Sequence, residues 1–384
     1  MSGPLKGFRI VELGGYGPAT YCGMLLGDLG ADVIRIERAS APVSGDDRAT
    51  SKSDPHMRNR RSIALNLKSP TAIDLTLQLL KTADACTEGF RPGVAERLGL
   101  GPEVALARNA RLVYGRMTGW GQCGPLAQAP GHDINYIALT GALHAIGSIG
   151  GKPAVPLNLV GDFGGGGLFL AFGVLAGLLE AKRSGKGQVI DAAMMDGVSS
   201  LMSAFSYYRN IGLHNSEAPG EGALAGAAPF YDVYETKDGK YISIGAMEPK
   251  FCKELIDKLE LDEATFQSAW ADEKSWARLK SILTEKFRTR TRQEWCDLLE
   301  GGNTCFAPVL SHSEAPSHAH AIARAAYINV GGQIQNAPAP RFSETPPDPP
   351  RPSPNKGEDT KAVLAELGVS DSEFQRFVET NVIP

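Results

Sequence analysis

The sequence predicts an α/β protein, with a large unit built on a parallel sheet covered by helices and then a smaller α+β unit. Three observations predict it. Short runs rich in β-branched residues alternate with helical patterns through the first half of the chain, the pattern that a parallel sheet requires. After about Gly222 the texture changes to paired aromatic and β-branched runs, followed by three helical patterns. At 384 residues, with 42% hydrophobic and 21% charged residues, the chain is long enough for two cores.

The first run, Phe8 to Leu13, leads into Gly14-Gly15-Tyr16-Gly17-Pro18. Pro18 suits the first position of a helix, because its fixed φ is already helical and its missing N–H would have no partner there. That helix runs through Met24 to Leu29, and Gly30 stops it. Asp32 to Glu37 reads as a second strand. The alternation continues with a helix over Ala72 to Lys81, strands over Ala83 to Gly89 and Arg111 to Met117, a helix over Gly167 to Lys182, and a strand over Gln188 to Ala192. In the second unit, Phe230 to Glu235 and Tyr241 to Ile244 flank an Asp238-Gly239 turn and read as a hairpin. Helical patterns then cover Pro249 to Leu259, Glu273 to Phe287 and Arg292 to Glu300. Thr345 to Pro354 is too proline-rich for a central strand, so it reads as an extended connection to a last helix over Thr360 to Leu367.

Composition narrows the function. A net charge of −4 argues against general nucleic-acid affinity, while leaving room for a local basic patch that holds a phosphorylated small molecule. The cysteines, Cys22, Cys86, Cys123, Cys252, Cys296 and Cys305, show no C-x-x-C pair and read as free thiols in a reducing compartment. Met1 to Arg9 lacks the pattern of a secretory signal, and the terminal Val-Ile-Pro is not a peroxisomal address, so a cytoplasmic protein is expected. The longest apolar stretch, Leu168 to Leu179, suits a buried helix better than a membrane span.

Two proton-handling residues stand out, His132 in Gly131-His132-Asp133-Ile134-Asn135-Tyr136 and Asp162 in Gly161-Asp162-Phe163-Gly164. Each follows a glycine that permits close approach, and each precedes an apolar run that reads as a helix. Two such groups facing one carbon could carry its proton from one side to the other. Taken singly, each has a plainer account: His132 as a satisfied buried histidine or helix cap, Asp162 as a helix cap. The glycine turn after the first strand, with Glu37 some twenty residues on, invites a dinucleotide reading, but Gly15-Tyr16-Gly17-Pro18-Ala19-Thr20 lacks the third glycine. Arg58, Arg60 and Arg61, flanked by Arg35, Arg38 and Lys68, and joined by Arg91 and Arg97, form a basic cluster near predicted strand ends. Guanidinium forks match phosphate oxygens, although, taken alone, a solvated charged surface is the plainer account of such a cluster. His312, His318 and His320 lack a fourth ligand at metal spacing. Asp191 and Asp196 flank a strand-to-helix turn and read as structural.

Together these segments resemble the family III CoA-transferase superfamily, and within it the α-methylacyl-CoA racemases. The resemblance rests on Gly3-Pro4-Leu5-Lys6-Gly7, Leu26-Gly27-Asp28-Leu29-Gly30-Ala31-Asp32-Val33, Arg58-Asn59-Arg60-Arg61, Gly119-Trp120-Gly121-Gln122 and Pro338-Ala339-Pro340-Arg341-Phe342-Ser343, and it spans nearly the whole chain. It implies a Rossmann-like large domain over residues 1–186, completed by 328–384, a linker helix over 187–221, a small α+β domain over 222–304 and a return linker over 305–327. It also implies an interlocked homodimer whose active site is closed by the partner's small domain. Asp162 matches the aspartate shared across the superfamily, His132 the racemase histidine, and Glu248 in Gly245-Ala246-Met247-Glu248-Pro249 the glutamate that partners that histidine. The CoA contacts are expected at Arg38, Arg58, Lys68 and Glu88, and at Arg91, Val94, Arg97 and Tyr136.

The implied activity is racemisation of 2-methyl-branched acyl-CoA thioesters by proton transfer between two bases, with no metal and no cofactor beyond the CoA of the substrate. Backbone N–H groups around Gly161 to Gly164 are the expected donors to the enolate oxygen. The competing expectation is a CoA-transferase in which Asp162 is an acyl-accepting nucleophile.

Overall fold

The computed structural model describes residues 2–38, 54–211, 218–267 and 272–383. The chain forms two compact units. The first comprises Met1–Thr140, Leu157–Leu201 and Ala325–Pro384, and the second Gly141–Pro156 and Met202–Arg324.

The first unit is built on six parallel strands: β1 (Arg9–Leu13), β2 (Asp32–Arg38), β3 (Arg60–Leu65), β4 (Ala85–Glu88), β5 (Val113–Thr118) and β6 (Gln188–Ala193). Their order, β3-β2-β1-β4-β5-β6, is that of a Rossmann-type sheet. Ile10, Val11 and Leu13 of the central strand have no exposure, because helices cover both faces. Between and after the strands lie α1 (Pro18–Asp28), α2 (Pro70–Lys81), α3 (Val94–Arg97), α4 (Pro102–Arg108) and α5 (Asp133–Ala138). The short α6 (Ala142–Ala145) belongs to the second unit, and α7 (Leu168–Ser184) and α8 (Met194–Leu201) return to the first. A nine-residue π-helical turn, Leu159–Gly167, runs directly into α7.

The second unit holds α9 (Ser203–Asn210), the hairpin β7 (Tyr231–Glu235) and β8 (Tyr241–Gly245), and the helices α10 (Pro249–Lys258), α11 (Glu263–Gln267), α12 (Glu273–Phe287) and α13 (Arg292–Leu299). β9 (Phe306–Val309) adds a third antiparallel strand on β8, and α14 (Ala319–Ala323) follows. Back in the first unit come the hairpin β10 (Tyr327–Val330) and β11 (Gln333–Asn336), then α15 (Thr360–Glu366) and α16 (Asp371–Glu379).

The organisation differs from expectation in three places. Residues 187–221 are not a linker helix: they supply β6 and α8 to the first unit and α9 to the second. Residues 305–327 carry β9, so the small sheet has three strands. Residues Gly141–Pro156 join the second unit, partly through a bridge between Gly147 and Pro153 and a bond from Gly220 N–H to the Ala145 carbonyl. These are contacts made across the chain, and local pattern does not encode them.

The sheet separates two cores. On one face Leu75, Leu79 and Leu80 of α2 meet Val363, Leu364 and Phe377 of the C-terminal helices. On the other, Cys22 and Leu26 of α1 meet Leu170, Val174 and Leu178 of α7. The C-terminal segment also finishes the β3 edge, since the Ser62 N–H donates to Asp359 Oδ2 at 2.8 Å and the Asn66 N–H to the Val382 carbonyl at 2.9 Å. Among the described residues one helical run, Leu159–Ser184, is long and apolar enough to cross a membrane by length and composition. Its Leu170, Val174 and Leu178 are buried on the sheet, while Phe172 and Leu179 are 69% and 74% exposed.

Candidate active site

Successive connections leave the sheet in opposite directions on either side of β1 and β4, so their carboxyl ends open a crevice of the kind that receives ligands in doubly wound sheets. Glycines floor it. Gly15, at φ 101°, adopts the left-handed backbone that side chains rarely take, and a β-carbon there would lie 3.3 Å from that of Ala19. The turn is held from below by buried charge: Arg35 donates to the Gly15 carbonyl at 2.8 Å and pairs with Glu12, whose other oxygen accepts from Arg60 Nε at 2.8 Å.

That network corrects part of the expected anion site. Arg58 has no exposure: its Nε donates to Asp28 Oδ1 at 2.9 Å, a second nitrogen pairs with the same carboxylate, and the third bonds Gln335 and the Asn336 carbonyl. Arg61 is tied to Asp32 and Glu366. These arginines hold the large unit together and have no donor turned to a ligand. Glu88 is likewise fully buried, accepting from Arg116 Nε at 2.9 Å and from the Phe90 N–H at 2.6 Å. Burial pushes its carboxyl above the usual range against the pull of those donors. Its carboxylate shapes the loop after β4 and does not face the crevice.

The other expected contacts are placed differently. Arg38 ends β2, Lys68 follows β3, and Arg91 and Arg97 follow β4, all four exposed near the carboxyl ends of the strands. Val94 is half-buried at the start of α3. Tyr136 is buried, with its ring edge-on to Trp120 at 4.7 Å and its hydroxyl donated to the Gly131 carbonyl. Burial raises the Tyr136 phenol; the charge of Asp162 adds to the rise and that of Arg91 opposes it, so these three groups share one neighbourhood.

His132 and Asp162 occupy two helix starts. His132 is the exposed residue that opens α5, its N–H donated to Asn135 Oδ1 at 3.1 Å and its carbonyl accepting the Asn135 N–H at 2.8 Å. Asp162 lies in the first turn of the π-helical segment, where Asn158 Nδ2 donates to its Oδ2 at 3.0 Å. That oxygen sits against Gly17, where a β-carbon would lie 3.4 Å away. Partial burial raises the Asp162 carboxyl above the ordinary aspartate range; the Asn158 amide counters it, Asp133 adds to the rise and His132 opposes it. The histidine and the aspartate are therefore electrostatic neighbours.

Sequence reasoning missed the group between them. Asp133 is only 6% exposed, and its Oδ2 accepts the backbone N–H of Asp162 at 2.7 Å, while Oδ1 has no hydrogen-bond partner. The available signal was Gly161, whose side-chain position is filled by that carboxylate. Asp191, read as structural, accepts the Gln122 N–H at 3.0 Å. Glu248 belongs to the second unit, exposed at the start of α10 just beyond β8. Among the described residues no three His, Cys, Asp or Glu side chains gather as a metal site.

A comparison with protein families matches residues 5–360 to CoA-transferase family III. The chain belongs to CoA-transferase family III. Two relatives of this family III chain are α-methylacyl-CoA racemases, from Mus musculus at 39% identity over 99% of the chain and 97% of the relative, and from Homo sapiens at 40% identity with the same coverage. A crystal structure of a CAIB/BAIF family protein from Brucella suis superposes with a TM-score of 0.79 at 25% identity, covering 96% of the family III chain and 100% of that protein.

Proposed function

We propose that this family III chain is a racemase that inverts C2 of 2-methyl-branched acyl-CoA thioesters. The observation that carries the proposal is the placement of His132 and Asp162 on two neighbouring helix starts, with Asp162 held partly out of water and shifted towards its protonated form. The racemase relatives supply the substrate class.

A proton on carbon beside a thioester is a far weaker acid than any side chain, so its removal requires a stabilised enolate. In the proposed reaction the neutral His132 imidazole takes the proton from one face, and the C–H electron pair moves into the thioester to give a planar enolate. Asp162 then gives its own proton to the opposite face. The other enantiomer runs the same steps with the roles exchanged. The Asp162 N–H is already taken by Asp133, so the enolate oxygen falls to the remaining N–H groups at these helix starts. The exposed Arg38, Lys68, Arg91 and Arg97 suit the CoA phosphates, half-buried Val94 offers apolar surface beside them, and the buried Tyr136 supports the α5 start from within. The chemistry needs no group beyond the CoA of the substrate.

Incubating one enantiomer of a 2-methylacyl-CoA in heavy water should give both epimers in similar amounts, with one deuterium at C2 and no transfer of acyl groups between CoA acceptors. Recovery of unlabelled, uninverted substrate refutes the proposal. Capture of an acyl group on Asp162 by hydroxylamine would establish the transferase reading instead.

We also propose a homodimer. Leu168, Phe172 and Leu179 on α7 and Val189 on the edge strand β6 are exposed apolar side chains, more than a lone soluble unit usually shows together. Sedimentation at micromolar concentration should give twice the chain mass, and Phe172→Glu should shift the species towards monomer. A wild-type monomer would end this part of the proposal.

A further inference from the structure

We propose that Asp133 is a positioning residue for Asp162: its buried carboxylate fixes the π-helical turn through the Asp162 N–H and places a charge beside the Asp162 side chain. The inference rests on the two-base reading, and concerns a residue that never touches the substrate.

The geometry points one way. Asp133 begins α5, one residue after His132, yet its side chain turns inward to the π turn, where Oδ2 takes the Asp162 N–H at 2.7 Å. A β-carbon on Gly161 would overlap that same oxygen, so the glycine is the cavity into which the carboxylate fits. One carboxylate thus ties the start of α5 to the start of the π turn, and with them the histidine and aspartate that must flank one carbon. An i→i+5 turn leaves its first N–H groups without helical partners, so an external acceptor has a defined place to bind.

The second role follows from burial. A carboxylate with 6% exposure and an unpartnered Oδ1 is poorly screened, and it disfavours a second negative charge next to it. Asp162 responds, its carboxyl being raised in part by Asp133. Of the other elements on the π turn, α5 brings His132 and Tyr136, α1 brings Tyr21, whose ring lies tilted to Phe163 at 5.0 Å, and His56 meets the same Phe163 ring edge-on at 5.1 Å. Asp196 of α8 and Asp191 of β6 are exposed, Arg116 of β5 is paired with Glu88 and Glu96, and the charges of α7 lie at its far end. None of these both holds the turn and opposes its charge.

Asp133→Asn keeps an oxygen for the Asp162 N–H and removes the charge, whereas Asp133→Ala removes both. Removing a neighbouring negative charge lowers the Asp162 pKa, so the acid limb of the kcat/KM profile of Asp133→Asn should move down by about one pH unit with kcat within a few-fold of wild type. Asp133→Ala should lose about 100-fold in kcat, a loss that asparagine largely rescues. An unmoved acid limb in the asparagine variant, or an alanine variant as fast as wild type, overturns the proposal. If neither variant folds, the 13C titration of both carboxyls in the wild-type protein decides: the Asp162 curve should bend again where Asp133 titrates, and two curves with no mutual inflection overturn the proposal. Wild-type protein that incorporates no deuterium at C2 sinks the racemase reading alone, and the same titration still judges Asp133.

Discussion

Asp162→Ala and His132→Ala should each lower racemisation by about 10²- to 10⁴-fold in kcat while CoA still binds. Each removes one of the two groups that a proton crossing a plane requires, and acid–base groups acting in the transition state contribute on that scale. Neither side chain is a buried anchor: His132 is exposed, and half-buried Asp162 holds one side-chain bond, from Asn158, while the bond that ties the two helix starts together runs through the Asp162 N–H. The fold should survive both changes. Chiral analysis of the product gives kcat, and calorimetric titration with CoA gives binding. Because the two enantiomers are nearly equal in free energy, each variant must lose kcat/KM equally in both directions. Wild-type turnover in both variants would dismiss the assignment of acid and base, and a loss of CoA binding in step with activity would recast these residues as structural.

Glu12→Ala should be the most destabilising single change in the large unit, at about 3–5 kcal/mol. Glu12 has no exposure and is shared by Arg35 and Arg60, themselves buried, so its removal leaves two guanidinium groups without a counter-charge under the crevice. The loss comes from stranding those charges, which taking a pair out of water made costly at the outset. Hydrogen exchange of β1 and β2 amides in increasing urea reads this unit separately from the second one, avoiding a single midpoint for two units. Protection equal to wild type would mean that water reaches the arginines. The same variant should weaken CoA binding, because Arg35 supports the Gly15 carbonyl.

Much of this was legible in the sequence. The alternation of β-branched runs and helices located the sheet, and Pro18 and Gly30 bracketed α1 because both act through backbone geometry within a few residues. β3 was not legible, since Arg60-Arg61 at its start reads as a ligand cluster and only the following Ile63-Ala64-Leu65 reads as strand. The misplacement of Arg58 has the same root. A guanidinium buried against Asp28, thirty residues away, looks in one dimension like one waiting for phosphate. Asp133 was not legible either, because its side chain turns towards a backbone amide 29 positions on. Glycine runs drew attention to the two helix starts without saying what each glycine makes room for.

The bond from Ser62 to Asp359 spans 297 positions. A ribosome therefore releases β3 long before the amides on its open flank can find their acceptors, and the nascent large unit stays an unfinished sheet while the entire second unit is made. The segment that carries Asp359 and Val382 acts as the clasp that closes a strand made some 297 positions earlier.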